Sequence, residues 1–286
     1  MQVVELSNHP SDMLHDVTLR RRAADQRAQD RYEDALVRHQ AAVRTIRVKR
    51  DRARRQHQWL TWLRLALAVA SQKRRAPRTP PPSKNGNDAE EKIRAGIAGE
   101  QQVATELSRA LADDWTLLRG YRNRRGEIDH LLLGPQGLFA IEVKNINATV
   151  HIDGDRWRAD KYDNYGNLVE QRPITDRGGR SPSQQLNEPA DDLERFLHER
   201  GQQVTVQRVV ILTHRRSRLG PTKNPTKNPT VNVGTSTAHL LTLVHAGPAE
   251  PAERQLTERQ RTEIARLIRR DHDFHERTRR PRTRHR

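Results

Sequence analysis

Residues 126–145 read GEIDHLLLGPQGLFAIEVKN. Two apolar runs, 128–133 and 138–143, flank a Gly-Pro-Gln-Gly link. Gly and Pro form turns, so the stretch predicts an antiparallel hairpin. Strand side chains alternate between faces, which puts Glu142 and Lys144 on the same face at the end of the second strand. Folding the hairpin then brings Asp129 of the first strand beside Glu142.

Ionised groups in an apolar sheet cost free energy unless they compensate one another or hold a metal. Two adjacent carboxylates repel, and a divalent cation relieves the repulsion. Hard oxygen ligands in this number suit Mg2+, with Mn2+ as its substitute, because Mg2+ keeps several waters and takes one or two carboxylates from the protein. Asp129 and Glu142 are therefore the expected metal ligands, with Lys144 facing the attacking water. Those parts suffice for metal-assisted phosphodiester hydrolysis. The Glu-x-Lys tripeptide alone says little, since a solvated charge pair at a strand end would look the same. The apolar strand it ends, the Asp one hairpin earlier and the Gly-Glu of an upstream helical pattern give it weight.

Asp129 and Glu142-x-Lys144 on a hairpin, preceded by a helix with a Glu, resemble the PD-(D/E)xK restriction-endonuclease-like superfamily. Within it, AGIAGEQQVATEL, GEIDHLLLGPQGLFAIEVKN and SPSQQLNEPADDLERFL are similar to the nuclease-related domain, NERD. The resemblance covers about residues 90–215. It implies an α/β fold: a restriction-endonuclease-like core with a central mixed β-sheet flanked by helices. By position Glu100, after Gly99, matches the helix carboxylate, and an ordinary exposed helix Glu is the competing reading. Gln185, three residues after Pro182, matches the glutamine that orients water or touches the backbone, with Gln184 as its immediate rival. Asp129 is favoured over the nearby Glu127. Pro189 departs from the pattern: it should kink or restart its helix, which puts the aim of Gln185 in question. Trp157 resembles an aromatic that packs after a turn, and His130 reads as a structural histidine or a proton relay.

The chain has 286 residues, 33% hydrophobic and 31% charged, so a core of about 150 residues with charged extensions is expected rather than two full domains. A net charge of +17 points to a polyanionic partner, nucleic acid first and acidic membrane surface second. There are no cysteines, which excludes disulfides, thiolate catalysis and Cys-based zinc sites. The first residues lack the pattern of a signal peptide, and the apolar stretch 59–70 is too short to span a bilayer. A cytoplasmic protein is expected.

Along the chain, residues 1–18 show no pattern and read as flexible. Residues 19–72 contain no Gly or Pro and predict one long basic helix, with Ala28, Ala35 and Ala42 seven apart as a weak coiled-coil seam. Its tryptophan-bearing end is expected to pack on the catalytic domain or a second copy, or to lie at a membrane headgroup boundary. Residues 73–88 read as a Pro-rich linker and 89–246 as the nuclease domain. In that domain a helix with acidic residues in its first turn comes first. Residues 149–152 extend the sheet, 161–180 form a mobile loop, and Ser181 and Pro182 open a helix. Residues 204–214 form a buried strand, a tandem PTKN loop follows, and HLLTLV is a strand or a short helix. Residues 247–286 predict a helix capped by Thr257 and an arginine-rich disordered tail.

The expected function is a Mg2+-dependent nuclease acting on DNA. Asp129 and Glu142 hold the cation, Lys144 prepares the water, Glu100 and Gln185 assist, and the basic arms supply affinity by counterion release. The alternatives are a non-catalytic nucleic-acid-binding protein and a membrane-surface or partner-organising protein built on residues 19–71. A homodimer through the N-terminal helix stays open as a further partner.

Overall fold

The hairpin forms, and it lies in the middle of a six-stranded sheet. The computed structural model describes residues 1–81, 84–223, 231–246 and 255–279. They divide into two compact units, residues 1–12 with 93–286, and residues 13–92. In chain order the elements are β1 (Gln2–Glu5), α1 (His9–Arg55), α2 (Trp59–Arg74), α3 (Lys84–Ala110), β2 (Thr116–Arg122), β3 (Glu127–Gly134), β4 (Gly137–Lys144) and β5 (Thr149–Asp153). There follow β6 (Arg156–Tyr162), β7 (Leu168–Pro173), α4 (Pro182–His198), β8 (Val206–Leu212), β9 (Arg218–Lys223), β10 (Val231–Gly234), α5 (Thr237–Ala246) and α6 (Glu258–Arg279).

The main sheet runs β1-β2-β3-β4-β8-β10. It is mixed: β2, β3 and β4 are antiparallel neighbours, while β1 lies parallel to β2 and β8 parallel to β4 and β10. The β3–β4 register closes at Gly134 opposite Gly137, so Pro135 and Gln136 alone make the turn, and Gly137 takes φ +125°, open to glycine at little cost. Both faces of the sheet are covered, which is why its strands read as continuous apolar runs. Leu131, Leu133, Leu138 and Ala140 share one buried cluster with Leu186 and Leu193 of α4 and Ile264 and Ile268 of α6. Leu132, Phe139 and Ile141 belong to the other, with Val103 and Leu107 of α3 and Leu240 and Val244 of α5. Strand alternation thus assigns each residue to a helix layer, and the expected architecture stands.

Several boundaries differ from expectation. Residues 2–5 are ordered as β1, because an edge strand gains backbone partners on β2 whatever its side-chain pattern. The predicted single helix breaks at residues 56–58, where His57 sits at φ +57°, leaving α1 and α2. On α1 the inward seam runs through Ala28, Tyr32, Ala35, His39, Val43, Ile46 and Ala53, following the helical period; Val43 is buried where the seven-residue repeat would place Ala42. Helix α3 starts at Lys84, inside the expected linker, so Glu90 and Glu91 are not in its first turn.

Residues 149–153 join a second sheet, ordered β7-β6-β5-β9, and not the central one. Residues 161–180 are not one loop, since β7 pairs with β6 across Arg158 to Tyr162. HLLTLV is helical, in α5. Helix α6 is capped by Thr257, whose Oγ1 accepts from the Gln260 amide at 3.3 Å, and it runs to Arg279, into the expected tail. The rest of that tail and most of the PTKN loop lie outside the described residues.

Candidate active site

β4 carries Glu142 and Lys144 on the face it turns toward α4, the face shared with Ala140 and Leu138. The Lys144 ammonium donates to Glu142 Oε1 at 2.5 Å and to Gln185 Oε1 at 2.9 Å. Between β3 and β4 the last backbone pair toward the site is His130 with Ile141. Past it Asp129 reaches across, its Oδ2 accepting from the Val143 amide at 2.7 Å. Asp129 Oδ1 and Glu142 Oε2 accept nothing from the described residues. Each carboxylate is therefore held by one oxygen and leaves the other available.

Glu100 comes from α3, the helix layer on the opposite face, and lines a cavity of about 260 Å³ with Asp129, Glu127 and Arg119. A larger cavity of about 1130 Å³ lies along α6, away from these groups, so size does not mark the site. His130, on the α3 face of β3, is fully buried, and its Nε2–H donates to the Glu100 carbonyl at 3.1 Å. That contact fixes where α3 sits at Glu100. Burial, and then Arg119, push the His130 imidazole down to about 4, so it stays neutral and acts as a structural donor.

Burial raises the Asp129 carboxyl well above the carboxylate range, and the charges of Glu142 and Glu100 add to that. Glu100 is pushed up to about 7, first by burial and then by Glu127 and Glu142, against the lowering effect of Arg119. Burial acts to lower Lys144, but Glu142 and Asp129 outweigh it and hold the ammonium above its usual value. Asp129 and Glu100, each raised in part by the other acidic groups, lie with Glu142 around one lysine and form a site short of positive charge. A divalent cation would supply it, and the unengaged oxygens of Asp129 and Glu142 are the donors that fit. Among the described residues no group of three or more His, Asp and Glu side chains could hold a metal, so a hard cation here would rest on two carboxylates and its own waters.

Residues 95–213 match the family model of the nuclease-related domain, NERD. The chain carries a nuclease-related domain. No curated protein and no solved structure matches the chain. The matched span of the nuclease-related domain starts in α3 just before Glu100 and ends just after β8, enclosing all five residues singled out by sequence.

Within the domain the glutamine rivalry resolves on geometry. Gln184 is spent on the helix cap, its Oε1 accepting from the Ser181 amide at 3.0 Å while Ser181 Oγ receives the Gln184 amide. Gln185 instead faces the site, its Nε2 donating to the Arg180 carbonyl at 2.7 Å and its Oε1 meeting Lys144. Helix α4 runs through Pro189 without restarting, and Asn123 Nδ2 donates to the Pro189 carbonyl at 2.9 Å. Glu127 is tied to Arg122 by an ion pair and charges the cavity wall from there. Trp157 is buried in the core.

Sequence reasoning missed the supporting roles of three residues. A Cβ on Gly99 would lie 2.6 Å from Thr213 Oγ1, so this glycine lets α3 close on the ends of β4 and β8. Asn145 Nδ2 donates to the Ala95 carbonyl at 3.1 Å and anchors the same helix. Ser183 Oγ donates to Asp155 at 2.7 Å, joining the β5–β6 turn to the start of α4. The Gly-Glu pair was the only advance signal among these, and it was read for its Glu.

Proposed function

We propose that this chain is a Mg2+-dependent nuclease that hydrolyses phosphodiester bonds in DNA. The observation that carries the reading is the convergence of Asp129, Glu142 and Lys144 from two neighbouring strands, with Lys144 bonded to both Glu142 and Gln185. Asp129 and Glu142 would hold the cation, which when bound would polarise the phosphodiester and lower the pKa of water. The Val143 amide fixes the orientation of Asp129. Lys144 stays protonated, orients the attacking water and neutralises charge that builds on the phosphate. Gln185 keeps Lys144 aimed while itself pinned to the Arg180 carbonyl. Glu100, whose carboxyl burial pushes up to about 7, is suited to take a proton from water at the edge of the site. The excess of lysine and arginine supports polyanion binding without base reading.

The test is incubation of wild type and Glu142→Ala with plasmid and linear DNA in Mg2+ or EDTA. Cutting by wild type in Mg2+, lost in EDTA and in Glu142→Ala, is the expected result. Salt-sensitive binding with no cutting in any arm would leave a binding protein and overturn the enzyme reading.

A further inference from the structure

Helix α2 (Trp59–Arg74) is apolar on two faces. On one, Val69 is buried and Trp62 and Leu65 are half-buried. On the other, Trp59 is 62% exposed, Leu60 82%, Leu63 52% and Leu67 65%. At 100° per residue these four fall on a stripe about 100° wide, turned away from Val69. Trp59 also meets Trp62 edge to face, with ring centroids 6.4 Å apart, which steadies its indole at one end of the stripe. A helix with apolar surface on both sides needs something to cover the second side.

The charges around the stripe indicate what that is. From residue 52 to residue 87 there is no Asp or Glu, and there are nine Lys and Arg. Arg52, Arg54 and Arg55 precede the helix, and Lys73, Arg74 and Arg75 close it. A second copy would bring an identical cationic segment against this one, with like charges juxtaposed. A nucleic acid would satisfy the cations and leave the leucines in water. A bilayer with anionic headgroups satisfies both, and tryptophan with flanking cations suits its interface. No described helix is long and apolar enough to cross a membrane, so the contact is with the surface.

We propose that α2 docks on an anionic lipid bilayer, with Trp59, Leu60, Leu63 and Leu67 in the headgroup–acyl boundary and the flanking arginines at lipid phosphates. The proposal uses none of the carboxylate residues and is independent of the nuclease reading.

The test is cosedimentation of the full chain with sucrose-loaded vesicles of phosphatidylcholine alone, or of phosphatidylcholine with about 30% phosphatidylglycerol, a composition that attracts basic segments. Wild type should partition at least about tenfold more strongly to the anionic vesicles. Leu63→Glu/Leu67→Glu should lose at least about tenfold of that binding with its circular dichroism unchanged. Leu60→Gln, at the most exposed of the four positions, guards against misfolding of the double variant and should lose about threefold. Failure of wild type to bind anionic vesicles would overturn the proposal. So would undiminished binding by both variants, which would assign adhesion to arginines elsewhere. A wild-type dimer that dissociates in the double variant, with no vesicle binding, would overturn it in favour of a second copy.

Discussion

The sheet-centred unit and residues 13–92 handle charge and apolar surface in opposite ways. In the first, Leu132, Phe139 and Leu138 are sealed from solvent, and the same packing holds Glu142 and the carboxyl of Asp129 close together despite their repulsion. In the second, among the described residues only Val43, Ala53, Val69 and Glu90 are buried. A dense core can impose an unfavourable arrangement of charges because many other contacts hold it in place. A thin helical assembly cannot do that; apart from Glu90, which Arg21 pairs, it leaves its charges at least partly solvated and part of its apolar surface uncovered.

The contrast can be broken or sharpened by substitution. Lys144→Ala should slow Mg2+-dependent cleavage by about 1,000-fold, measured in single turnover, while binding of the same duplex at equal salt stays within about twofold. Loss of binding and cleavage together would mean that the lysine serves structure. Leu132→Ala, in the sealed face of β3, should cost about 2–5 kcal/mol by urea denaturation. Gly99→Ala, pressing on Thr213 Oγ1, should lower cleavage about tenfold by moving Glu100. Adding Thr213→Ala should recover most of that, a coupling read from the double-mutant cycle.

The effect of pH is smaller. Glu100, with an ordinary value of 4.5 raised to about 7, binds its proton more tightly folded than unfolded. Its contribution to stability therefore falls as pH rises from about 4.5 to about 7, and Asp129 acts in the same direction. His130, lowered from 6.5 to about 4, opposes this, costing stability as pH falls through that range. His130→Asn should therefore make the unfolding free energy in EDTA, from urea denaturation, fall more steeply as pH rises from about 4.5 to about 6.5, by about 1 kcal/mol over the range, and Mg2+ should flatten the slope. At the bottom of the scale, Leu67→Ala on α2 should change stability by less than about 0.5 kcal/mol. A loss there as large as that of Leu132→Ala would erase the contrast.

The central part of this design was legible in sequence because its signals are local. Alternation on residues 128–143 fixes which face each side chain takes, and so brings Asp129, Glu142 and Lys144 to one place. The edge strand β1 was not legible, since its order comes from backbone pairing with Thr116–Arg119, more than 100 residues away. The second sheet escaped for the same reason: β5 pairs with β9 across some 70 residues, and neither strand states its partner. The break at His57 carries no glycine or proline to announce it. Gln185 was identified only by resemblance, and what separates it from Gln184 is the cap at Ser181, a hydrogen bond visible once the helix start is placed.

The strand that bears Glu142 and Lys144 is paired on both sides, with β3 up to Ile141 and with β8 as far as Lys144 opposite Leu212. Displacing it would break two ladders at once, so its amides should be among the slowest in the molecule to exchange with deuterium. Glu100 and Gln185 come from separate helices, packed on the sheet through Val103 and Leu107 of α3 and Leu186 and Leu193 of α4 and aligned by polar contacts from Asn145, His130 and Ser183.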